Sequence, residues 1–452
     1  MRGQSGKIGA STALVVAVAT LGLGGGVAAA RAQADPVPAY AVGVVHRTFV
    51  DPARRTAANG DAPGSPQRSL DTTIFYPATA TPSPSPATEP ATDDAPPADG
   101  PFPLLVFAHG FGASAGVYEG ILKSWAAAGY VVAAPDFPLS TTSAPGGPNA
   151  GDVINQPGDV SYAITAVVDR SKGDDDVLAG LVDPKRVGVA GHSLGGITTL
   201  GVAAHTCCQD DRIKGAVVLS GDPLKFPKGR FDYAQAPPLL LVHGTEDSAV
   251  DYGAGIDVFN AARGPKGLVT IEGGDHGSPI SVAGPAFPSV VGATTAFFDS
   301  YVKGDRAARA GITAAAEPGV TEIRFVTKPG ARATITTTPK EQRDLHATVT
   351  PRKNLRNGQA VLVKWSGYTP GKSINIVQCS SHVNGDSAAC DLQTGYILQP
   401  DPTGEGSIEL PIVVGPVGTG VCDAQHECDV VVNDGGSLDP DASVRITIRF
   451  AK

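Results

Sequence analysis

Between residues 70 and 302 short apolar runs alternate with amphipathic stretches. The runs at 70–76 (LDTTIFY), 104–108 (LLVFA), 130–134 (YVVAA), 186–190 (RVGVA), 213–219 (IKGAVVL), 239–243 (LLLVH) and 268–272 (LVTIE) have the length and content of strands. Helical spacing fills the gaps at 117–128, 160–168, 195–204, 256–262 and 286–302. Strands alternating with helices predict a mostly parallel, doubly wound sheet covered on both faces. Beyond 326 the pattern changes. A Thr-rich, charged stretch at 327–346 is followed by short alternating runs at 360–365, 373–377, 407–413, 429–432 and 443–450. Asn357-Gly358, Pro370-Gly371 and Asn433-Asp434-Gly435-Gly436 punctuate them, which predicts a small all-β sandwich over 347–452 joined by a linker at 327–346.

Two further segments break the pattern. Residues 77–100 hold seven prolines and no large apolar side chain, which reads as a disordered, solvated insertion between two strands. At the N-terminus Arg2 and Lys7 precede an apolar run at 8–30 and the small-residue cleavage pattern Ala32-Gln33-Ala34. Residues 1–34 therefore read as an export signal, and no later stretch is apolar enough to span a membrane. The chain is expected to be secreted, with an α/β unit at 35–326.

The formal charge is −9, and loss of Arg2, Lys7 and Arg31 with the signal makes it −12. An acidic chain gains nothing from counterion release, so nucleic acid is not an expected partner. Nor does it have an electrostatic reason to dwell on an anionic membrane. The six cysteines are read in an oxidising compartment. Cys379/Cys390 and Cys422/Cys428 are spaced to suit two loop-stapling disulfides, and paired zinc-ligand spacing is absent. Adjacent Cys207 and Cys208 are compatible with a vicinal disulfide or with two thiols.

The most specific motif is Gly191-His192-Ser193-Leu194-Gly195, set between the 186–190 strand and the 195–204 helix. A nucleophile elbow needs that context, because the tight turn exposes the serine at the sheet edge. Ser193 then requires a base and an orienting acid, in the chain order Ser, acid, His. His276, in the Gly-rich loop 273–277 after the 268–272 strand, is the expected base. His205 is too local, and His243 ends a strand. Asp247, in His243-Gly244-Thr245-Glu246-Asp247, is the expected acid. Glu246 should point away, Asp251 should cap the next helix, and Asp275 should form a turn. Two backbone N–H groups are needed for an oxyanion: Leu194 after the nucleophile, and Phe111 in His109-Gly110-Phe111-Gly112. The ring of Phe111 should line the acyl pocket. This chemistry needs no cofactor and no metal. Only 19 residues, 220–238, occupy the usual lid position, so the site should be open to an ester substrate.

These residues resemble the α/β-hydrolase superfamily. HGFGAS, WAAAGYVVAAPDFP, GHSLGG, HGTED and GGDHGSP are similar to the dienelactone hydrolase-like branch, which includes platelet-activating-factor acetylhydrolases, chlorophyllases and bacterial cutinases and polyester hydrolases. The resemblance covers residues 42–326 and implies carboxylic-ester hydrolysis through an acyl-enzyme. Ser193 stands where dienelactone hydrolase has cysteine. Polyester-degrading relatives carry a Trp where this chain has Ser220-Gly221-Asp222-Pro223-Leu224, which argues against an aromatic polymer. The second region resembles the neocarzinostatin family in Ala347-Thr348-Val349-Thr350-Pro351, Leu355, Asn357-Gly358, Gly367-Tyr368-Thr369-Pro370-Gly371, Gln378-Cys379 and its cysteine pairs. That implies a seven-stranded immunoglobulin-like sandwich, in a family some of whose members hold a chromophore. The leading expectation is a secreted serine esterase with an accessory sandwich. The alternative is a binding protein for a small hydrophobic ligand, which the hydrolase region processes.

Overall fold

A computed structural model describes residues 40–224, 226–335, 344–370, 374–380, 390–391, 395–398, 403–418, 420–434 and 443–451. The expected export signal at 1–34 lies outside them. No helix among the described residues is long and apolar enough to cross a membrane.

Strands β1 (Ala41–Asp51), β2 (Arg68–Ala78), β3 (Thr92–Asp93), β4 (Phe102–Ala108), β5 (Val131–Asp136), β6 (Val182–His192), β7 (Ile213–Leu219), β8 (Leu239–Gly244), β9 (Lys266–Ile271) and β10 (Thr321–Val326) form one sheet. Its order is β10-β9-β8-β7-β6-β4-β5-β2-β1-β3. Strands β5 to β9 run parallel through β4, while β1, β2 and β10 join antiparallel at the edges. This is the α/β-hydrolase arrangement that the resemblance implied.

The helices are α1 (Glu119–Ala127), α2 (Gln156–Ser171), α3 (Leu194–Ala204), α4 (Tyr252–Ala261), α5 (Phe287–Phe298) and α6 (Arg309–Ala314). Alternation along the strands explains why both faces need cover. Leu104 and Val106 of β4 pack with Ile164 of α2, Leu200 of α3 and Phe259 of α4. Leu105 and Phe107 point the other way, into a layer with Trp125 of α1, Phe297 and Phe298 of α5 and Ile312 of α6. Trp125 is fully buried and its indole N–H donates to Thr294 Oγ1 at 3.1 Å. Truncating such a side chain to alanine costs about 3–5 kcal/mol.

The insertion at 77–100 differs from its expectation: it is folded onto the sheet. β3 pairs parallel with β1, the amide of Ala98 donates to the Pro77 carbonyl, and the Tyr76 hydroxyl donates to the Ala95 carbonyl. Ala95 and Ala98 are buried, and Lys123 Nζ donates to the Glu89 carbonyl. Composition suggested disorder because proline lacks a donor, but the carbonyls of the segment are satisfied by neighbours instead. Residues 327–335 of the expected linker at 327–346 also depart from a free linker, and 336–343 lie outside the described residues. Lys266 Nζ donates to the carbonyls of Phe259, Ala262 and Ala333, and the Asn260 side chain bonds both backbone groups of Ile335. The α/β unit therefore holds on to the chain as far as residue 335.

The C-terminal region contains β11 (His346–Thr350), β12 (Ala360–Ser366), β13 (Ile374–Cys379), β14 (Tyr396–Leu398), β15 (Gly406–Pro411), β16 (Gly415–Val417), β17 (Gly420–Cys422), β18 (Cys428–Asp434) and β19 (Ser443–Ile448). They form a three-stranded sheet β11-β12-β15, a four-stranded sheet β14-β13-β18-β19 and the hairpin β16-β17. Val361, Val363 and Trp365 from one sheet meet Ile374, Ile376, Val430 and Val432 from the other in a single core. Cys379–Cys390 and Cys422–Cys428 are both disulfides, as is the vicinal pair Cys207–Cys208.

Candidate active site

The parallel strands end at one edge of the sheet, and the chemistry-bearing residues gather there. Ser193 lies between β6 and α3 with φ 57° and ψ −121°, a conformation few non-glycine residues adopt. Its neighbours allow it. A Cβ on Gly191 would lie 2.2 Å from the Gly195 carbonyl oxygen, and one on Gly195 would lie 1.9 Å from that of Ala108. The two glycines thus bring strand, turn and helix together, and the turn is anchored by the Ser193 amide on the Leu219 carbonyl.

Ser193 Oγ is 2.8 Å from His276 Nε2, and His276 Nδ1 is 2.8 Å from Asp247 Oδ2. With its proton on Nδ1, the imidazole donates to Asp247 and accepts from the serine hydroxyl. Asp247 is fully buried in the loop after β8, and its other oxygen accepts the amides of Ala249 and Val250. Burial alone would raise its pKa. The hydrogen bonds from His243 and His276 overcome that and hold the carboxyl far below the usual carboxylate range. Glu246 is exposed; Asp251 caps α4 through the Gly253 amide; Asp275 accepts from Ser278 Oγ and the Gly277 amide.

The Phe111 loop sits beside the elbow: a Cβ on Gly110 would be 3.3 Å from Ser193 Cβ. The Gly110 amide donates to the Tyr118 hydroxyl and the Gly112 amide to the Ser140 carbonyl. Among the described residues no acceptor takes the Phe111 N–H. The Phe111 ring is 44% exposed and so is not part of the core.

Several polar residues around this site were not singled out in the sequence. His192 Nε2–H donates to the His276 carbonyl at 2.8 Å, its ring lies 4.8 Å from that of His276, and its Nδ1 accepts from the Tyr118 hydroxyl at 3.2 Å. One hydrogen-bonded path therefore joins Gly110, Tyr118, His192 and the backbone of His276. Burial first, then the nearby His276, pushes the His192 pKa down to about 4. His109 is likewise pushed down to about 4 by burial; it donates from Nδ1 to the Gly110 carbonyl and accepts the Phe137 amide at Nε2. His243, expected only to pack, stands 3.4 Å from Asp247 Oδ2 and 3.0 Å from the Val250 carbonyl. His192 could have been suspected from its place inside the elbow motif. Tyr118 carries no such signal.

Residues 70–266 match the chlorophyllase family, and residues 347–448 match the neocarzinostatin family. The chain carries a chlorophyllase-family domain followed by a neocarzinostatin-family domain. The chain is also similar to a platelet-activating factor acetylhydrolase of Cavia porcellus, at 23% identity over 212 residues. That match covers 39% of this chain and 47% of the relative, so the chain spans about half the length of the curated protein it matches. A solved ferulic acid esterase structure from Streptomyces cinnamoneus is 22% identical, with a TM-score of 0.46, over 65% of this chain and 99% of that one.

Proposed function

We propose that this protein is a secreted serine esterase that hydrolyses carboxylic esters through an acyl-enzyme. His276 takes the hydroxyl proton of Ser193 as the oxygen attacks the ester carbonyl. Asp247, ionised and buried, holds the imidazole in the required tautomer and stabilises the imidazolium. The N–H groups of Leu194 and Phe111 receive the oxyanion, and the N-terminus of α3 favours that charge. His276 then returns the proton to the departing alcohol, and water repeats the sequence on the acyl-Ser193 ester.

The observation that carries this reading is the continuous Ser193–His276–Asp247 hydrogen-bonded chain behind a strained serine. Membership in the chlorophyllase family and similarity to an acetylhydrolase are consistent with it. No helix stands between β7 and β8 among the described residues, which favours an open site and small or surface-presented esters. The neocarzinostatin-family domain is read as an accessory module. A cleft on it is lined by His346, Lys364 and Glu405 beside Trp365. An acyl-length series of p-nitrophenyl esters, run on the protein and on Ser193→Ala, tests the assignment. Ser193→Ala should lower kcat by roughly 10⁴–10⁶-fold. Near-normal turnover by that variant would overturn it.

A further inference from the structure

The ester chemistry uses the first residue of α3 and leaves its far end unexplained. There the chain reads His205-Thr206-Cys207-Cys208. His205 closes the helix and is 1% exposed, with its ring against Phe226 and Phe231 at 5.1 and 4.8 Å. Its Nδ1 lies 3.1 Å from Cys207 Sγ and accepts the Cys207 amide at 3.3 Å. An amide donor fixes the tautomer: the proton sits on Nε2, and Nδ1 presents a lone pair to the sulfurs. Cys207 is exposed and Cys208 half-buried, and the donor atoms of all three residues lie within 4.8 Å of one another.

The turn is held in place from outside. The Thr206 amide donates to the Arg230 carbonyl, and the Arg230 amide donates to Thr206 Oγ1. Both the Cys208 and Gln209 amides return to the His205 carbonyl. Gly229, at φ +90°, permits this clamp, since a Cβ there would be 2.5 Å from Thr206 Oγ1. These bonds fix the backbone of the turn, at the helix end whose dipole favours a cation.

We propose that His205, Cys207 and Cys208 form a redox-gated site for a thiophilic cation of the zinc and cadmium class. In the disulfide state the two sulfurs are bonded to each other and no thiolate is present. A dithiol reductant opens the site: the Sγ–Sγ bond breaks, two electrons and two protons pass to the cysteines, and the reductant becomes a disulfide. A divalent cation then displaces the two thiol protons and takes the Nδ1 lone pair in place of the Cys207 amide, whose hydrogen bond to the ring is given up. Two thiolates neutralise its charge, and water fills the fourth tetrahedral position.

The test uses the whole protein and Cd²⁺ as probe, titrated before and after reduction under anaerobic conditions. The expected result is one equivalent more bound by the reduced protein than by the reduced Cys207→Ser/Cys208→Ser variant, seen as a thiolate-to-cadmium charge-transfer band, and none by the oxidised protein. Cys207→Ser/Cys208→Ser, reduced in parallel, should lose that equivalent and so separates it from the sandwich cysteines. His205→Gln should weaken binding by about 10–100-fold, the scale on which even outer-shell partners act. Because His205 is buried and its variant could unfold, the exposed Cys207→Ser provides the independent arm. No binding by the reduced protein, equal binding by the oxidised protein, or equal binding by the reduced protein and the reduced double variant would each overturn the proposal.

Discussion

Asp247, Ser193 and His192 reach His276 across 29, 83 and 84 residues of sequence. In the neocarzinostatin-family domain the covalent links close intervals of 11 and 6 residues, the first in a small apolar cluster and the second in the main core. The site of the first region rests on a ten-stranded sheet with two apolar layers. The second adds local staples to a core of smaller extent. Chemistry that depends on angstrom-scale placement is thus tied to long-range packing in one region, while stability depends partly on short loops in the other. Perturbations that act on one kind of link should leave the other region alone.

After Ser193 itself, the largest effect should come from the acid. Asp247→Asn keeps the shape but favours the wrong His276 tautomer, and kcat should fall by about 10⁴-fold. Steady-state kinetics would check this, and a loss below tenfold would contradict the orienting role. Reduction acts on the other side of the comparison. The disulfides at Cys379–Cys390 and Cys422–Cys428 should each contribute about 2–3 kcal/mol by restricting the unfolded chain. Calorimetry should show the sandwich transition falling under reductant while esterase turnover persists. Turnover lost in step with the sandwich transition would show that the two regions are not separable.

A smaller effect should follow from His192→Phe, which removes the bond to the His276 carbonyl. Misplacement of the base predicts a kcat loss of roughly 10–100-fold with little change in KM. His192 and His109 also bear on pH. Their folded pKa values, about 4, lie below the unfolded value of about 6.5. The neutral forms therefore stabilise the fold above about pH 6.5, and that contribution is lost as pH falls towards 4. Acid unfolding monitored by circular dichroism should soften in His192→Phe; an unchanged acid limb would contradict burial as the cause. The smallest effect concerns the junction. A chain ending at residue 335 should match full-length activity on soluble esters, whereas one ending at 327 loses the Ala333 carbonyl from buried Lys266 and should be about 1–3 kcal/mol less stable. Equal stability would contradict the docking of this stretch.

The same contrast explains what could be read from the chain. Ser193 stood out because its motif is local: strand, two glycines and helix are consecutive in sequence. Asp247 and His276 followed from chain order and loop position. Strands β12, β13, β15, β18 and β19 of the sandwich were equally legible, since alternation is a period of two, whereas β11 and the short β14, β16 and β17 were not read. β1 and β10 were not, because edge strands mix apolar and polar positions: β1 alternates only along its second half. The path through Tyr118 and His192 to His276 was invisible for a different reason. It exists only where three distant elements meet. Residues 77–100 were misread as disordered because proline content describes what a segment cannot donate, not which neighbours it can accept from.

The central claim is that Ser193 is the nucleophile which His276 activates. Incubation with a serine-directed phosphonate, followed by peptide mapping, tests it most directly. The account predicts a single covalent adduct on Ser193, formed in step with loss of activity and abolished or greatly slowed in His276→Ala. An adduct on another residue, or labelling of Ser193 at an undiminished rate without His276, would contradict it.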